Sequence, residues 1–365
     1  MSLDGKCVPE IVSIHQLTHS CSMEELKRLD DDTTYMAVCP KPLANTNGLL
    51  HSPDGWFSHM PQTSEMSTLP VTVEILRHCN LHEQMRIAAT HSINCATVKK
   101  YIDHRLELLG SRFFDDGNTL LEILRMCDAV ISGDIALQIF LPETRAAWYP
   151  ADLHVYVPTG YHNYMHRLLR GQGYDMFEEH LHKNCPQSHS TVGRTAMYNK
   201  DKQIIKLTVS TTAAPFSPIF ELENTAVMNL ISYDRFYCAY PTLTFRGLAM
   251  INNGPLYTGA FSMRTMQALL KYRARGFVYI GCHNNSGISA PCVCISRLIT
   301  DTTGIWWNRS GTVECDASPR EIFQRFGVLN CHWTLGGPVC GCREALALPE
   351  VRVVEDESCV LLTYP

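Results

Sequence analysis

Residues 129–157 constrain the fold of this chain more than any other stretch. An apolar run ends at Gly133 and Asp134, an amphipathic segment follows, and a second apolar run begins after Asp152. This order of patterns predicts a strand, a helix and a second strand. Side chains alternate between the faces of a strand, so Asp152 and His154 should lie side by side on one face of the second strand. The pattern therefore places two potential metal ligands together.

The segments on either side extend the alternation of helices and strands. Apolar periodicity predicts helices within 71–110 and over 120–128, and another over 161–170. A polar, histidine-rich loop should then lead to a strand over 204–210 and a helix over about 221–231. A further helix is expected over about 263–275. The chain is therefore predicted to be α+β, with an α/β-like core in which helices flank a mixed sheet.

Length and composition suit one large or two moderate globular domains. The chain has 365 residues, of which 45% are hydrophobic and 18% are charged, so it can bury a sizeable core. Residues 1–75 are irregular in pattern and form a predicted N-terminal extension. Residues 76–245 form the predicted core. Residues 246–365 form a predicted C-terminal subdomain that is partly helical and rich in cysteine.

Charge and hydropathy exclude some classes of partner. The net charge is -5, which gives no bulk attraction for nucleic acid or an anionic membrane. The basic groups at 99–100 and 271–275 are too short to form a nucleic-acid patch. The sequence lacks a signal-peptide pattern and an apolar run of about 20 residues, so we expect an intracellular, cytoplasmic protein without a membrane partner. The oligomeric state stays open.

Sixteen cysteines without a signal peptide predict free thiols or zinc ligands, because disulfides are rare in reducing compartments. A structural zinc ion takes four thiolate or imidazole ligands, commonly from closely spaced pairs. Two interpretations stay open: one structural zinc ion, or small buried and loop thiols that bind no metal. The candidate zinc ligands are Cys282, His283, Cys292, Cys294, Cys340 and Cys342.

The stretch 131–157 resembles the signature of the nucleotidyltransferase (polymerase-beta-like) superfold. That signature is a small-residue turn at a helix start, usually Gly-Ser, followed by a strand with two carboxylates at alternate positions. More closely, the chain resembles a set of basidiomycete fungal proteins of unknown function that carry this core, over roughly residues 100 to 345. The shared segments are 113–114, 131–133, 136–138, 152–153, 225–229, 240–244 and 333–337.

The resemblance implies a nucleotidyltransferase-like mixed sheet and a set of site positions. In the superfold, two adjacent carboxylates and a third from a neighbouring strand hold divalent metals, which neutralise the triphosphate and activate the attacking hydroxyl. The Gly-Ser turn lets backbone amides approach the phosphates at a helix N-terminus. Carried onto this chain, the nucleotide-binding positions are Ser132 and Gly133, and the catalytic positions are Asp134, Asp152, His154 and Lys206.

The chain departs from the superfold pattern at three positions. Asp134 stands where the serine is expected, and His154 replaces the second carboxylate. Lys206 occupies the strand position where related sequences would offer the third carboxylate. Magnesium prefers oxygen ligands, whereas imidazole suits zinc, nickel or iron. Together these changes remove the usual magnesium site.

Two functions therefore stay open. The first is a binding module for a nucleotide, a phosphate or a protein partner, without standard nucleotidyl transfer. The second is an enzyme that reuses the cleft, either as a divergent nucleotidyltransferase with Mg²⁺ or Mn²⁺ or through another reaction run by Asp134, Asp152 and His154. Simpler roles are also open: Asp134 can cap its helix, His154 can be a half-buried strand histidine, and Lys206 can neutralise Asp152 across the sheet.

Overall fold

The fold is a mixed α+β arrangement in which helices flank one large sheet. The computed structural model describes residues 72–182, 190–252, 263–281, 295–301, 304–309, 328–338 and 346–355. The predicted N-terminal extension lies outside these ranges, except for residues 72–75, where the first helix begins.

The helices of the described ranges lie mainly before and around the central strands. One helix start shows the local reason for its position: the Asn80 side chain accepts from the backbone N–H of Glu83, whose carboxylate accepts from the N–H of Asn80. This reciprocal cap satisfies two backbone donors at the start of a helix. The helices are α1 (Val73–His78), α2 (Leu81–Ala88), α3 (Ser92–Gly110), α4 (Thr119–Met126), α5 (Gly133–Phe140), α6 (His162–Gly171), α7 (Pro241–Thr244) and α8 (Met263–Ala274).

The strands fall into one large sheet and three small ones. They are β1 (Val130–Ser132), β2 (Leu153–Val157), β3 (Asp175–Leu181), β4 (Val192–Lys200), β5 (Gln203–Ser210), β6 (Asn229–Ile231), β7 (Arg235–Cys238), β8 (Leu248–Ala249), β9 (Val278–Tyr279), β10 (Arg297–Leu298), β11 (Ile305–Asn308), β12 (Val328–Thr334), β13 (Gly337–Pro338), β14 (Leu346–Ala347) and β15 (Glu350–Glu355).

The large sheet has eight strands in the order β11-β7-β6-β1-β2-β5-β4-β3. Strands β2 and β5 pair in parallel, and the other neighbours in this sheet are antiparallel. The small sheets have the orders β10-β12-β15, β13-β14 and β8-β9. Strand β11, from the predicted C-terminal subdomain, thus joins the sheet of the predicted core.

Alternation along the central strands separates two apolar cores on the two faces of the large sheet. In β2, Leu153 and Val155 belong to a core shared with α3, α5 and α6. Their neighbour Tyr156 belongs to a second core on the other face, which includes Phe220 and Trp333. Since each side chain is almost fully buried, the register of β2 is fixed from both sides. His154, which lies between Leu153 and Val155, is therefore held at a fixed position near the start of β2.

The structure confirms the predicted strand, helix and strand of 129–157 as β1, α5 and β2, and the predicted strand over 204–210 as β5. The helix expected over 221–231 is wrong. Residue 221 is the last residue of the 3₁₀ turn Ser217–Glu221, a second 3₁₀ turn spans Thr225–Val227, and the chain then continues as β6. A short apolar run has no clear periodicity, and pairing of β6 with both β1 and β7 decides its conformation.

The histidine-rich loop expected before β5 is also wrong in part, because the segment between α6 and β5 contains the strands β3 and β4. Strand β3 is exposed along its whole length, so it lacks the apolar alternation by which half-buried strands are recognised. None of the helices in the described part of the chain is both long and apolar enough to cross a membrane.

Candidate functional site

The site positions taken from the sequence meet where β1 ends and where β2 and β5 begin. Ser132, His154 and Lys206 are direct register partners across these three strands. Gly133 and Asp134 open α5 immediately after β1, and Asp152 directly precedes β2. The structure therefore gathers these six residues around one end of the central strands.

The turn from β1 into α5 depends on Gly133. Its φ is +73°, a left-handed conformation that glycine adopts without a steric penalty. Ser132 is fully buried, and its hydroxyl lies 3.0 Å from the carbonyl oxygen of Val227 and 2.6 Å from that of Asn229. The Ser132 hydroxyl thus ties β1 to the segment that leads into β6.

Asp134 is enclosed by three donors from the end of α8 and the residue after it. The Tyr272 hydroxyl lies 2.5 Å from Oδ1 of Asp134. Arg275 binds in a bidentate manner, with Nη1 2.5 Å from Oδ1 and Nη2 3.0 Å from Oδ2, and Lys271 Nζ lies 2.6 Å from Oδ2. Both carboxylate oxygens are therefore occupied by donors of the protein itself.

Electrostatics keep Asp134 ionised although its side chain is only 3% exposed. Burial by itself raises the pKa of Asp134, but hydrogen bonds and charge from Arg275 and Lys271 outweigh it, and the net result is a lowered pKa. The Arg275 guanidinium also lies over the rings of Trp148 and Tyr272, 4.8 Å and 5.3 Å from their centroids. We call Asp134, Lys271, Tyr272 and Arg275 the Asp134 cluster.

His154 is partly exposed as a residue, yet both of its ring nitrogens have partners. Nε2 lies 2.9 Å from Oγ1 of Thr208, and Nδ1 lies 2.9 Å from the hydroxyl of Tyr156, whose ring stacks on the imidazole at 4.1 Å. Burial, and then the charges of Lys206 and Lys271, hold the pKa of His154 well below its ordinary value. The low pKa keeps the imidazole neutral, so one of its nitrogens donates a hydrogen bond, the other accepts one, and both are used.

A depressed pKa of His154 has a consequence for stability. As the pH falls below about 6.5, the unfolded chain protonates this histidine and the folded chain does not, so the free energy of unfolding should fall by up to about 1.4 kcal/mol per pH unit. Urea unfolding measures this effect. Between pH 7 and pH 5, the free energy of unfolding should fall less for His154→Gln than for the natural chain. Equal losses in the two proteins would contradict the neutral assignment.

Asp152 differs from Asp134 in having its pKa raised. Burial is the main cause, and the nearby Asp134 adds to it, while Lys271 and Lys206 act in the opposite direction. The side chain lies at a partly exposed position directly before β2. The pKa of Asp152 is thus shifted in the opposite direction from that of Asp134.

These residues do not fit a magnesium site of the expected kind. The oxygens of Asp134 are bound to cations, the nitrogens of His154 are bound to Thr208 and Tyr156, and Lys206 is itself a cation. Two Mg²⁺ ions a few ångströms apart require several shared oxygen ligands, and of the site positions predicted from the sequence Asp152 alone offers its carboxylate. Within the ranges that the structure describes, no group of three or more His, Cys, Asp or Glu could hold a metal ion.

The candidate zinc ligands lie outside the described residues: Cys282, His283, Cys292, Cys294, Cys340 and Cys342. Their assignment therefore stays a prediction. The cysteines with described positions that carry free thiols are Cys79, Cys95, Cys127, Cys238 and Cys331.

Sequence reasoning missed Lys271, Tyr272 and Arg275 as parts of the site, because it treated 271–275 only as a short basic group. One signal was available. Asp134 begins a helix whose other residues are almost all apolar, and a carboxylate buried in such a segment needs a cationic partner. The sequence did not indicate which of its basic residues would supply that partner.

Comparisons of the chain with models of protein families, with curated proteins and with solved structures found no match.

Proposed function

We propose that this chain is a nucleotidyltransferase-like protein that binds a nucleotide or another phosphate ligand and does not carry out metal-dependent nucleotidyl transfer. The observation that carries the proposal is the Asp134 cluster. Lys271 and Arg275 neutralise the carboxylate at the position where the superfold would have its Gly-Ser turn and its phosphates. The order of β1, Gly133, α5 and β2 is the support for the superfold itself.

Cations of the protein can do part of what metal ions do in the superfold. The side chain of Lys271 is 40% exposed, so it can reach a ligand while it remains near Asp134. Lys206 lies beside His154 in β5, and the N-terminus of α5 adds the partial positive charge of its backbone amides. This concentration of positive charge favours a phosphate without a bound ion.

The same cations oppose the transfer reaction. A magnesium ion placed between Asp134 and Asp152 would have to displace Lys271 and Arg275 from the Asp134 oxygens. These charge-assisted contacts of 2.5–3.0 Å are strong, and the Asp134 side chain that accepts them is only 3% exposed. Binding without transfer is therefore the function that agrees with both the charges and the ligand set.

The full chain should bind ATP or GTP with the same affinity in EDTA as in Mg²⁺ or Mn²⁺, as measured by isothermal titration calorimetry. Incubation with either metal should release no pyrophosphate above background, because the metal ligands of the transfer step are taken. Lys271→Gln should weaken nucleotide binding at least tenfold, whereas Lys200→Gln, a distant change of the same charge, should not. Pyrophosphate release that requires metal and disappears in Asp152→Asn would refute the proposal.

A second candidate function is an enzyme that reuses the cleft for proton transfer. The raised pKa of Asp152 favours it, because perturbed carboxyls in clefts are often acids or bases. Asp134, whose charge acts on Asp152, and the neutral His154 would then position the reacting groups instead of reacting. Conversion of an added nucleotide without metal, lost in Asp152→Asn, would favour this candidate over a binding module.

A further inference from the structure

Strand β3 (Asp175–Leu181) is exposed to a degree unmatched in the large sheet. All seven of its residues are exposed, including Met176 at 40%, Phe177 at 54% and Leu181 at 65%. Among the described residues β3 pairs with β4 alone and forms one edge of the eight-stranded sheet. The opposite edge, β11, keeps its four residues buried or half-buried. Exposed apolar side chains are therefore concentrated at one of the two edges.

The backbone of β3 offers hydrogen-bonding groups at this edge. The N–H of His182 donates to the carbonyl of Gly193 at 3.0 Å, so His182 faces β4. In an antiparallel pair, successive residues direct their backbone groups to opposite sides. Since His180 is in register with Thr195 and Leu181 with Arg194, the backbone groups of Leu181 point away from β4. An edge of this kind can accept another strand.

The charges of β3 restrict what can pair with it. The strand carries Asp175, Glu178 and Glu179, and Glu179 is paired with Arg194 at 2.9 Å. Glu178 contacts only the exposed ring of His180, at 2.6 Å, among the ion pairs of the described part. A second copy of β3 paired about Glu178 would bring the two Glu178 side chains opposite each other, which is unfavourable. A basic strand would instead neutralise Glu178.

We propose that β3 is a docking edge for an extended basic segment of another protein, which adds a strand to the large sheet. Lysine or arginine side chains of the partner would lie opposite Glu178, and apolar side chains between them would cover Leu181. The irregular pairing between Met176 and Glu178 breaks the regular ladder at the start of the strand. The docking stretch is accordingly the second half of β3, from Glu178 onward.

The test uses a fluorescein-labelled ten-residue peptide of alternating lysine and valine, with fluorescence polarisation of the full chain as the readout. The peptide should bind at low ionic strength, and its affinity should fall as salt is added. Glu178→Lys should weaken binding at least tenfold. Leu181→Pro, which removes a backbone donor from the open edge and none from the pairing with β4, should also weaken binding at least tenfold.

Two controls separate docking from general attraction to an acidic protein. Glu122→Lys, an exposed change on α4, alters the net charge as Glu178→Lys does and should leave the affinity within twofold. A peptide of alternating glutamate and valine should not bind. Circular dichroism shows whether Leu181→Pro folds. If it does not fold, the peptide affinities of Glu178→Lys and Glu122→Lys are compared to test the proposal. Absence of lysine-peptide binding, equal effects of the two lysine variants, or a dimer in sedimentation velocity that Glu178→Lys disrupts would overturn the proposal.

Discussion

Asp134→Asn should lower the free energy of unfolding by about 3–5 kcal/mol, because it leaves buried cations without a counter-charge. The Arg275 side chain is only 12% exposed and makes two contacts with the carboxylate, so most of the loss arises there. Lys271 is 40% exposed and can turn towards water, so it contributes less. Urea unfolding at neutral pH measures the effect.

Two comparison variants make this result specific to the Asp134 cluster. Asp115→Asn removes the carboxylate of an ion pair with Lys200 whose acidic side chain is 89% exposed, and we expect a loss below about 1 kcal/mol. Asp134→Leu combined with Arg275→Met should recover much of the stability, since apolar replacement of a buried ion pair is often neutral. A loss for Asp134→Asn no larger than that for Asp115→Asn would contradict the arrangement.

Trp333→Ala should cost about 3–5 kcal/mol, because it empties a large volume where the three-stranded sheet meets the large one. The indole is 1% exposed and stacks on Phe220, with 4.1 Å between ring centroids and 6° between planes. Its Nε1–H donates to the Tyr240 hydroxyl at 2.8 Å, and Arg297 lies over its ring at 5.3 Å. Thermal and urea unfolding of the variant would both report the loss.

The same strand provides the matched control for Trp333→Ala. Leu329 also lies in β12 but is 50% exposed, so Leu329→Ala should change stability by less than about 0.5 kcal/mol. Trp333→Phe should fall between the two, because it keeps an aromatic ring against Phe220 and loses the hydrogen bond to Tyr240. Similar stability of Trp333→Ala and Leu329→Ala would contradict the packing of this second core.

The order of elements in the central stretch could be predicted because two short apolar runs flank a segment of helix length. Burial on both faces makes the runs at β1 and β2 almost continuously apolar. The segment that contains β6 could not be predicted in the same way, since three residues are too few to show a period and pairing with distant strands decides their conformation. Strand β3 was missed because neither of its faces is buried.

The site was predictable in its positions and unpredictable in its contacts. The turn at Gly133 places Ser132 and Asp134 near each other, and alternation at the start of β2 places Asp152 and His154 on one side; pairing of β1 with β2 then brings the two pairs together. Lys271 lies at the end of α8 and Arg275 directly after it, and their contacts with Asp134 span more than 130 residues of sequence. One sequence contains no pairing information over that separation, so the cations that neutralise Asp134 became visible only in the structure.

The most direct test of the central claim is a Mn²⁺ titration of the full chain. Electron paramagnetic resonance measures the bound ion as a decrease in the free-ion signal. The claim is that protein cations, not divalent metals, neutralise the carboxylates at this end of the sheet. We expect the natural chain and Asp152→Asn to take up the same amount of Mn²⁺, with and without ATP. Two ions bound by the natural chain in the presence of ATP, and absent from Asp152→Asn, would contradict it.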